Sequence, residues 1–312
     1  MNKDLLSVSD LSSEEIYSLI REAADLKSQG WLQALRGKVL ALLFEKPSLR
    51  TRVSFEVAMR QLGGDSLYLS PAEVGLGKRE SIPDVARVLE RYVDVIAART
   101  FSHQTLESLA ASSRIPVINA LSDLEHPCQA LADLLTVYEK RGSLEDINLA
   151  FIGDGNNVSH SLLLAAALTG MNFRIASPPG YEVQTAIRQK AAEYASLSGA
   201  ELLYTGEPQV AVAGADVVYT DVWTSMGQEA EAEKRRQAFQ GYQVSSSLLA
   251  SAKGEAIVMH PLPAHRGEEI TDEVLDGPQS AVFDQAENRL HLQKALLMRM
   301  LGGLDIPLAP YR

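Results

Sequence analysis

Continuous apolar runs alternating with helix-period segments constrain this chain more than any other feature of its sequence. Val39 to Phe44 is apolar throughout, as a strand buried on both faces must be, whereas a strand with one wet face would alternate. Similar runs occur at Val93 to Ala98, Pro116 to Ile118, Leu149 to Ile152, Phe173 to Ala176, Leu202 to Tyr204, Asp216 to Tyr219 and Ala256 to Met259. Helical stretches separate most of them. The first opens on Ser12 and Glu15, a capping-box pair, and puts Ile16, Leu19, Ile20 and Ala23 on one face. This rhythm belongs to βαβ units and predicts parallel sheets with helices on both faces. A chain of 312 residues has room for two such domains. The fold class is therefore α/β, two doubly wound parallel-sheet domains. The polar stretch Lys140-Arg141-Gly142-Ser143 suggests the boundary, with a first domain over 1–141 and a second over 142–285. A final helix within 286–312, carrying Leu290, Ala295, Leu296 and Leu297, is expected to return to the first domain.

Composition narrows the partners. No run of about 20 apolar residues is present, so nothing is expected to span a membrane, and the start shows neither a secretory signal nor an Arg-rich transit peptide. One cysteine, Cys128, excludes an intrachain disulfide framework and fits a reducing, cytoplasmic setting. A formal charge of −11 argues against nucleic acid. An anionic ligand would need a local cluster of cations.

In open α/β sheets ligands bind beyond the carboxyl ends of the strands, so the residues just after each apolar run are the informative ones. After Phe44 comes Glu45-Lys46-Pro47-Ser48-Leu49-Arg50-Thr51-Arg52, then a helix-period segment. Three cations, Lys46, Arg50 and Arg52, crowd a helix start whose dipole is already positive, at a cost of about 0.3–1 kcal/mol each. A bound dianion reverses that sign, because backbone N–H groups, hydroxyls and guanidinium forks then converge on it. Solvated arginines pointing outward are the plainer alternative. Arg99 ends the run Val93 to Ala98 in the same topological position. His126-Pro127-Cys128-Gln129 begins another helix, with Pro127 suited to its first turn, His126 at the cap and Gln129 one turn on. Cys128 reads as a small buried residue rather than a nucleophile, since no base stands beside it.

Together these segments resemble the aspartate/ornithine carbamoyltransferase family, whose Ser-x-Arg-Thr-Arg, strand-end Arg and His-Pro-x-Gln patterns are matched at Ser48 to Arg52, Arg99, and His126 to Gln129. The resemblance implies that Ser48, Leu49, Arg50 and Thr51 with Arg99 hold the phosphate of carbamoyl phosphate. It implies that Thr51, Arg99 and His126 polarise the carbonyl and that Gln129 binds the carbamoyl amide. Arg50, Arg99 and His126 are then the catalytic set. In the second half, Asp221-Val222-Trp223-Thr224-Ser225-Met226-Gly227 looks like the ornithine branch's Ser-Met-Gly loop, and Gly153-Asp154-Gly155-Asn156-Asn157 resembles its glycine turn. By that likeness Asn157, Asp221, Ser225 and Met226 grip the α-amino and α-carboxylate groups of L-ornithine, with Gly227 as a hinge. The stretch from His260 to Glu269 resembles the same family, with a cis bond implied at Leu262-Pro263. Pro261, Leu262 and the later Arg289 join the carbamoyl phosphate set. Two departures stand out. Pro261 replaces the ornithine branch's cysteine, and Gly75 stands where a residue reaching into a neighbouring subunit is usual, a role Lys78 or Arg79 could take. The resemblance further implies no cofactor, no metal and a homotrimer. The scattered histidines show no pair at ligand spacing.

A nicotinamide-dependent dehydrogenase is a rival reading, because Gly153-Asp154-Gly155 follows a strand. Val158 stands where its third glycine belongs, and Ser177 where an acidic residue would end the next strand. A non-catalytic carbamoyl phosphate sensor would not need an acceptor site. Within the family, Asp221 disfavours the dianion aspartate by like-charge repulsion, and putrescine has no α-carboxylate for the Ser225 loop to hold.

Overall fold

The computed structural model describes residues 3–77, 79–225 and 229–302, so Met226, Gly227 and Lys78 lie outside the described residues. The chain divides into two compact units, Met1–Leu135 with Asn288–Arg312, and Thr136–Glu287.

In the first unit, β1 (Val39–Phe44), β2 (Asp65–Leu69), β3 (Val95–Arg99) and β4 (Val117–Leu121) form a parallel sheet in the order β2-β1-β3-β4. In the second, β5 (Asn148–Ile152), β6 (Asn172–Ala176), β7 (Leu202–Thr205), β8 (Val217–Thr220) and β9 (Ile257–Met259) are parallel in the order β7-β6-β5-β8-β9. Strand β2 is the one the apolar runs do not reveal. It lies at an edge, its side chains are exposed or half-buried, and such a strand has no need of a continuous apolar sequence.

Both sheets reverse direction of travel once. The chain leaves β1 toward β2 on one side and returns to β3 on the other; it leaves β5 toward β6 and returns to β8. Register sets the paired strands level at these switch points, with Phe44 opposite Arg99 and Ile152 opposite Thr220. A crevice opens beyond the carboxyl ends of strands whose connections diverge in this way.

The helices include α1 (Ser13–Ser28), α2 (Leu49–Gln61), α3 (Pro127–Arg141), α4 (Asn157–Thr169), α5 (Ala232–Ala238) and α6 (Val282–Met300). Helix α1 has both arms of its capping box, the Ser12 hydroxyl accepting from Glu15 N and the Glu15 carboxylate from Ser12 N. The apolar faces of the first unit meet in a core of Ala41, Leu43, Ile96, Ala98, Leu106 and Leu109, and those of the second around Ala150, Ile152, Val218, Val258 and Phe239. Burying a leucine or phenylalanine of this kind contributes about 1.5–3 kcal/mol.

The units divide within α3, between Leu135 and Thr136, and within α6, between Glu287 and Asn288. The polar stretch at Lys140 to Ser143 closes α3, a few residues beyond this division. Polar residues mark where a helix meets water, which need not be where one packed unit gives way to the next. From Asn288 onward α6 belongs with the first unit. There Lys27 donates to the Asn288 side chain, Lys294 to the Leu26 carbonyl, and the Arg299 guanidinium sits 2.6 Å from the Glu22 carboxylate on α1. Among the described residues no helix is long and apolar enough to cross a membrane.

Candidate functional site

The first cluster lies at the β1/β3 switch point. Ser48 caps α2, its hydroxyl accepting from Thr51 N at 3.4 Å, so the first turn of α2 begins directly beyond β1. Arg50 and Thr51 occupy that turn. The crowding of three cations here is only partly what the sequence suggests. Arg52 is neutralised by Glu56 at 2.8 Å and lies over the Tyr68 ring at 4.0 Å, while Lys46 lies over the Phe101 ring at 4.4 Å. A guanidinium from far along the chain takes their place. Arg289 on α6 donates to the Thr51 hydroxyl and to the Gln129 side-chain oxygen, both at 3.0 Å. Gln129 in turn donates to Asp133 at 2.8 Å, which fixes its amide.

Arg99 completes the cluster from the end of β3. It is 6% exposed, and among the described residues its Nε has no hydrogen-bond partner and no carboxylate pairs with it. Burial, then repulsion from Arg289 and Arg50, lowers its pKa to about 10. Burial also lowers that of Arg50. His126, just ahead of Pro127 at the start of α3, is held well below the ordinary imidazole value by burial first, then by Arg289 and Arg99. A neutral imidazole results, able to donate to a carbonyl oxygen. Cys128 is fully buried and its thiol is pushed up to about 12, so it is inert as a nucleophile.

The second cluster lies at the β5/β8 switch point. Beyond β5, Gly153 has φ +143, and a Cβ on Gly155 would stand 2.3 Å from the backbone of Glu182 and Val183, so both positions require glycine. Asn156 then caps α4, accepting from Val158 N and Ser159 N with its side-chain oxygen. Its amide donates to the Asp221 carboxylate at 2.8 Å. The resemblance points to Asn157 for the ornithine grip; Asn157 begins the helix, and its neighbour Asn156 holds Asp221. Asp221 is 8% exposed and also accepts from Val222 N. Burial raises its pKa, opposed by His260 and by the Asn156 and Val222 hydrogen bonds, and reinforced by Glu269. Ser225 is half-buried on the same loop.

After β9 the Leu262-Pro263 peptide is cis, and Leu262 has φ +57, a conformation that L side chains rarely adopt. Two bonds brace it. Leu262 N donates to His260 Nδ1 at 2.9 Å, and His260 Nε2 stands 3.0 Å from Glu269. Sequence reasoning leaves out His260, Glu269 and Asn156 as contributors. The His-Pro-Leu-Pro and Gly-Asn-Asn signals that carry them are present. His265, Glu268 and Glu269 bring ligand atoms within 4.8 Å of one another, but Glu268 pairs with Arg236 and Glu269 with His260.

Fold and clusters define a two-unit α/β protein with one cluster of charged side chains at the switch point of each sheet, the first cationic and the second centred on a buried carboxylate. Residues 3–139 match the family described as the aspartate/ornithine carbamoyltransferase carbamoyl-P binding domain, and residues 145–300 its Asp/Orn binding domain. The chain belongs to the aspartate/ornithine carbamoyltransferase family. It is similar to the ornithine carbamoyltransferase of Archaeoglobus fulgidus, 55% identical over 304 residues, which cover 96% of this chain and 98% of the relative. That of Bacillus subtilis is 53% identical over 299 residues, 96% and 94% of the two chains. Among solved structures, the ornithine carbamoyltransferase from Pyrococcus furiosus superposes with a TM-score of 0.94 at 49% identity, covering 96% of this chain and 97% of that one.

Proposed function

We propose that this protein transfers the carbamoyl group of carbamoyl phosphate to the δ-amine of L-ornithine, giving L-citrulline and phosphate. The observation that carries the reading is the buried cationic cluster of the first unit. Arg50, Arg99 and Arg289 repel one another around a helix start, and Arg99 has no counter-charge among the described residues. Such an arrangement is costly until a dianion occupies it. In this reading the α2 start, Ser48, Leu49, Arg50 and Thr51, takes the phosphate together with Arg99 and Arg289. Thr51, Arg99 and neutral His126 polarise the carbonyl, and Gln129, its oxygen held by Arg289, serves the carbamoyl amide; in the second unit the carbonyls of Pro261 and Leu262 are further acceptors for an N–H donor. Asp221 receives the α-ammonium of ornithine, with Asn157, Ser225 and Met226 completing the α-amino-acid grip.

The chemistry is acyl transfer. The neutral amine attacks the carbonyl carbon, the bond to the phosphate oxygen breaks, and the electron pair leaves with phosphate, which can also take the amine's proton. Catalysis then rests on positioning and on stabilising the oxyanion and departing phosphate. The rival acceptors fit less well. Buried Asp221 would repel aspartate, and putrescine lacks the carboxylate. A homotrimer in the cytoplasm completes the proposal, supported by the family relationship and by a single buried cysteine that suits a reducing compartment. Citrulline formation from carbamoyl phosphate and ornithine tests the reading, and sedimentation tests the assembly.

A further inference from the structure

The second unit carries a buried ion pair that no step above uses. Asp154, in the glycine turn after β5, and Arg235, on α5, are 7% and 6% exposed. Arg235 Nη1 donates to the Asp154 carboxylate at 2.7 Å and to the Trp223 carbonyl at 2.8 Å. Its guanidinium also lies 4.9 Å from the centre of the Tyr181 ring. One nitrogen therefore ties the turn that carries Asn156 and Asn157 to the loop that carries Asp221 and Ser225. The surroundings hold both attachments in place. Gly155 N donates to the Tyr181 carbonyl at 2.7 Å, and the Trp223 ring stacks on Phe239 just beyond α5, with ring centres 5.8 Å apart.

The cost of this arrangement argues that it serves geometry rather than stability. A buried ion pair seldom outperforms apolar residues of the same volume, because both charges lose their hydration. Burial does raise the Asp154 pKa in spite of Arg235, and Asp221 raises it further. Two carboxylates thus stand close enough to repel, and Arg235 is the cation that offsets one of them. The other, Asp221, accepts one hydrogen bond each from Asn156 and Val222 among the described residues, which leaves carboxylate lone pairs for an incoming ammonium.

We propose that Arg235 is a positioning residue for the acceptor: by bridging Asp154 and the Trp223 carbonyl it sets the spacing of the two strand-end loops that bind the α-amino-acid end of the substrate. The inference rests on the ornithine reading above. It requires that loss of the bridge weaken the acceptor while leaving carbamoyl phosphate untouched, because every residue involved belongs to the second unit.

The test compares Arg235→Lys with the charge-balanced double variant Arg235→Met/Asp154→Asn, which removes both charges of the pair together. A lysine ammonium carries enough donors to reach both oxygens. Steady-state kinetics should show the KM for ornithine within threefold of wild type in Arg235→Lys. In the double variant it should be raised at least tenfold, with the KM for carbamoyl phosphate within twofold and kcat at saturation within threefold. Thermal melts of both variants accompany the kinetics. An ornithine KM within twofold of wild type in the double variant overturns the proposal. So does a parallel rise of both Michaelis constants with a lowered melting temperature, which would mean a purely structural role. A wild type that forms no citrulline and binds no ornithine by calorimetry removes the functional reading and this inference together. A wild type that does both, beside a double variant of unaltered ornithine KM, removes this inference alone.

Discussion

Replacing Arg99 by methionine should cost the ligand-free protein little or nothing while abolishing its response to phosphate. The guanidinium is 6% exposed, and its pKa falls to about 10 through burial and the nearby Arg289 and Arg50. Each tenfold change in proton affinity is worth about 1.4 kcal/mol, so the charged form costs the fold about 3 kcal/mol at neutral pH. The sign follows from proton counting. Between pH 10 and the ordinary guanidinium value the unfolded chain binds more protons than the native one, so stability rises with pH across that window. Below about pH 10 the full cost is present. Methionine removes the charge but keeps most of the buried stem. For a protein of this size 1 kcal/mol moves the melting temperature by about 2–4 °C. Ligand-free Arg99→Met should therefore melt no more than about 2 °C below wild type, and up to several degrees above it. Inorganic phosphate at 100 times its dissociation constant should stabilise wild type by about 2.7 kcal/mol and the variant not at all. Scanning calorimetry across a phosphate series reads both quantities. A variant that melts more than 5 °C below wild type and still gains the full phosphate stabilisation would refute the anion cradle.

Asp221→Asn should raise the KM for ornithine at least tenfold, about 1.4 kcal/mol, with carbamoyl phosphate affinity nearly unchanged; equal damage to both substrates would remove its acceptor role. Activity at subsaturating ornithine should climb from neutral to alkaline pH, because the attacking amine must be neutral and its free value lies near that of lysine, about 10.4. On the acid side, burial holds Asp221 above the ordinary carboxylate value, so ornithine affinity should fall before a surface aspartate would protonate; a profile flat from pH 6 to pH 9 would contradict the first half. Pro261→Cys should change kcat by no more than roughly tenfold, since the carbonyls of residues 261 and 262 remain as acceptors. Citrulline made by the Cys variant but not by wild type would show that proline disables ornithine use.

Much of this was readable before any coordinates, and the limits have physical causes. Parallel strands buried on both faces write themselves as apolar runs, so Val39–Phe44 and Asn148–Ile152 are visible, whereas edge strand Asp65–Leu69 opens on Asp-Ser, stays exposed or half-buried, and is not. Capping chemistry is local, and Ser12, Ser48 and Pro127 begin helices where their side chains dictate. Long-range pairing is not local. The Arg52–Glu56 pair is a local i,i+4 contact, but nothing in Arg52 announces the Tyr68 ring, and only the fold of α6 brings Arg289 to Thr51 and Gln129. The same holds for Asn156, which bonds Asp221 across 65 residues, and for Arg235, which reaches Asp154 across 81.

The most direct measurement is product formation by the purified protein from carbamoyl phosphate with ornithine, putrescine, aspartate and N-acetylornithine in parallel. Citrulline should form from ornithine, with kcat/KM at least a hundredfold above that for any other acceptor. A preference for putrescine, aspartate or N-acetylornithine, or no carbamoylated product from any of the four, would contradict it.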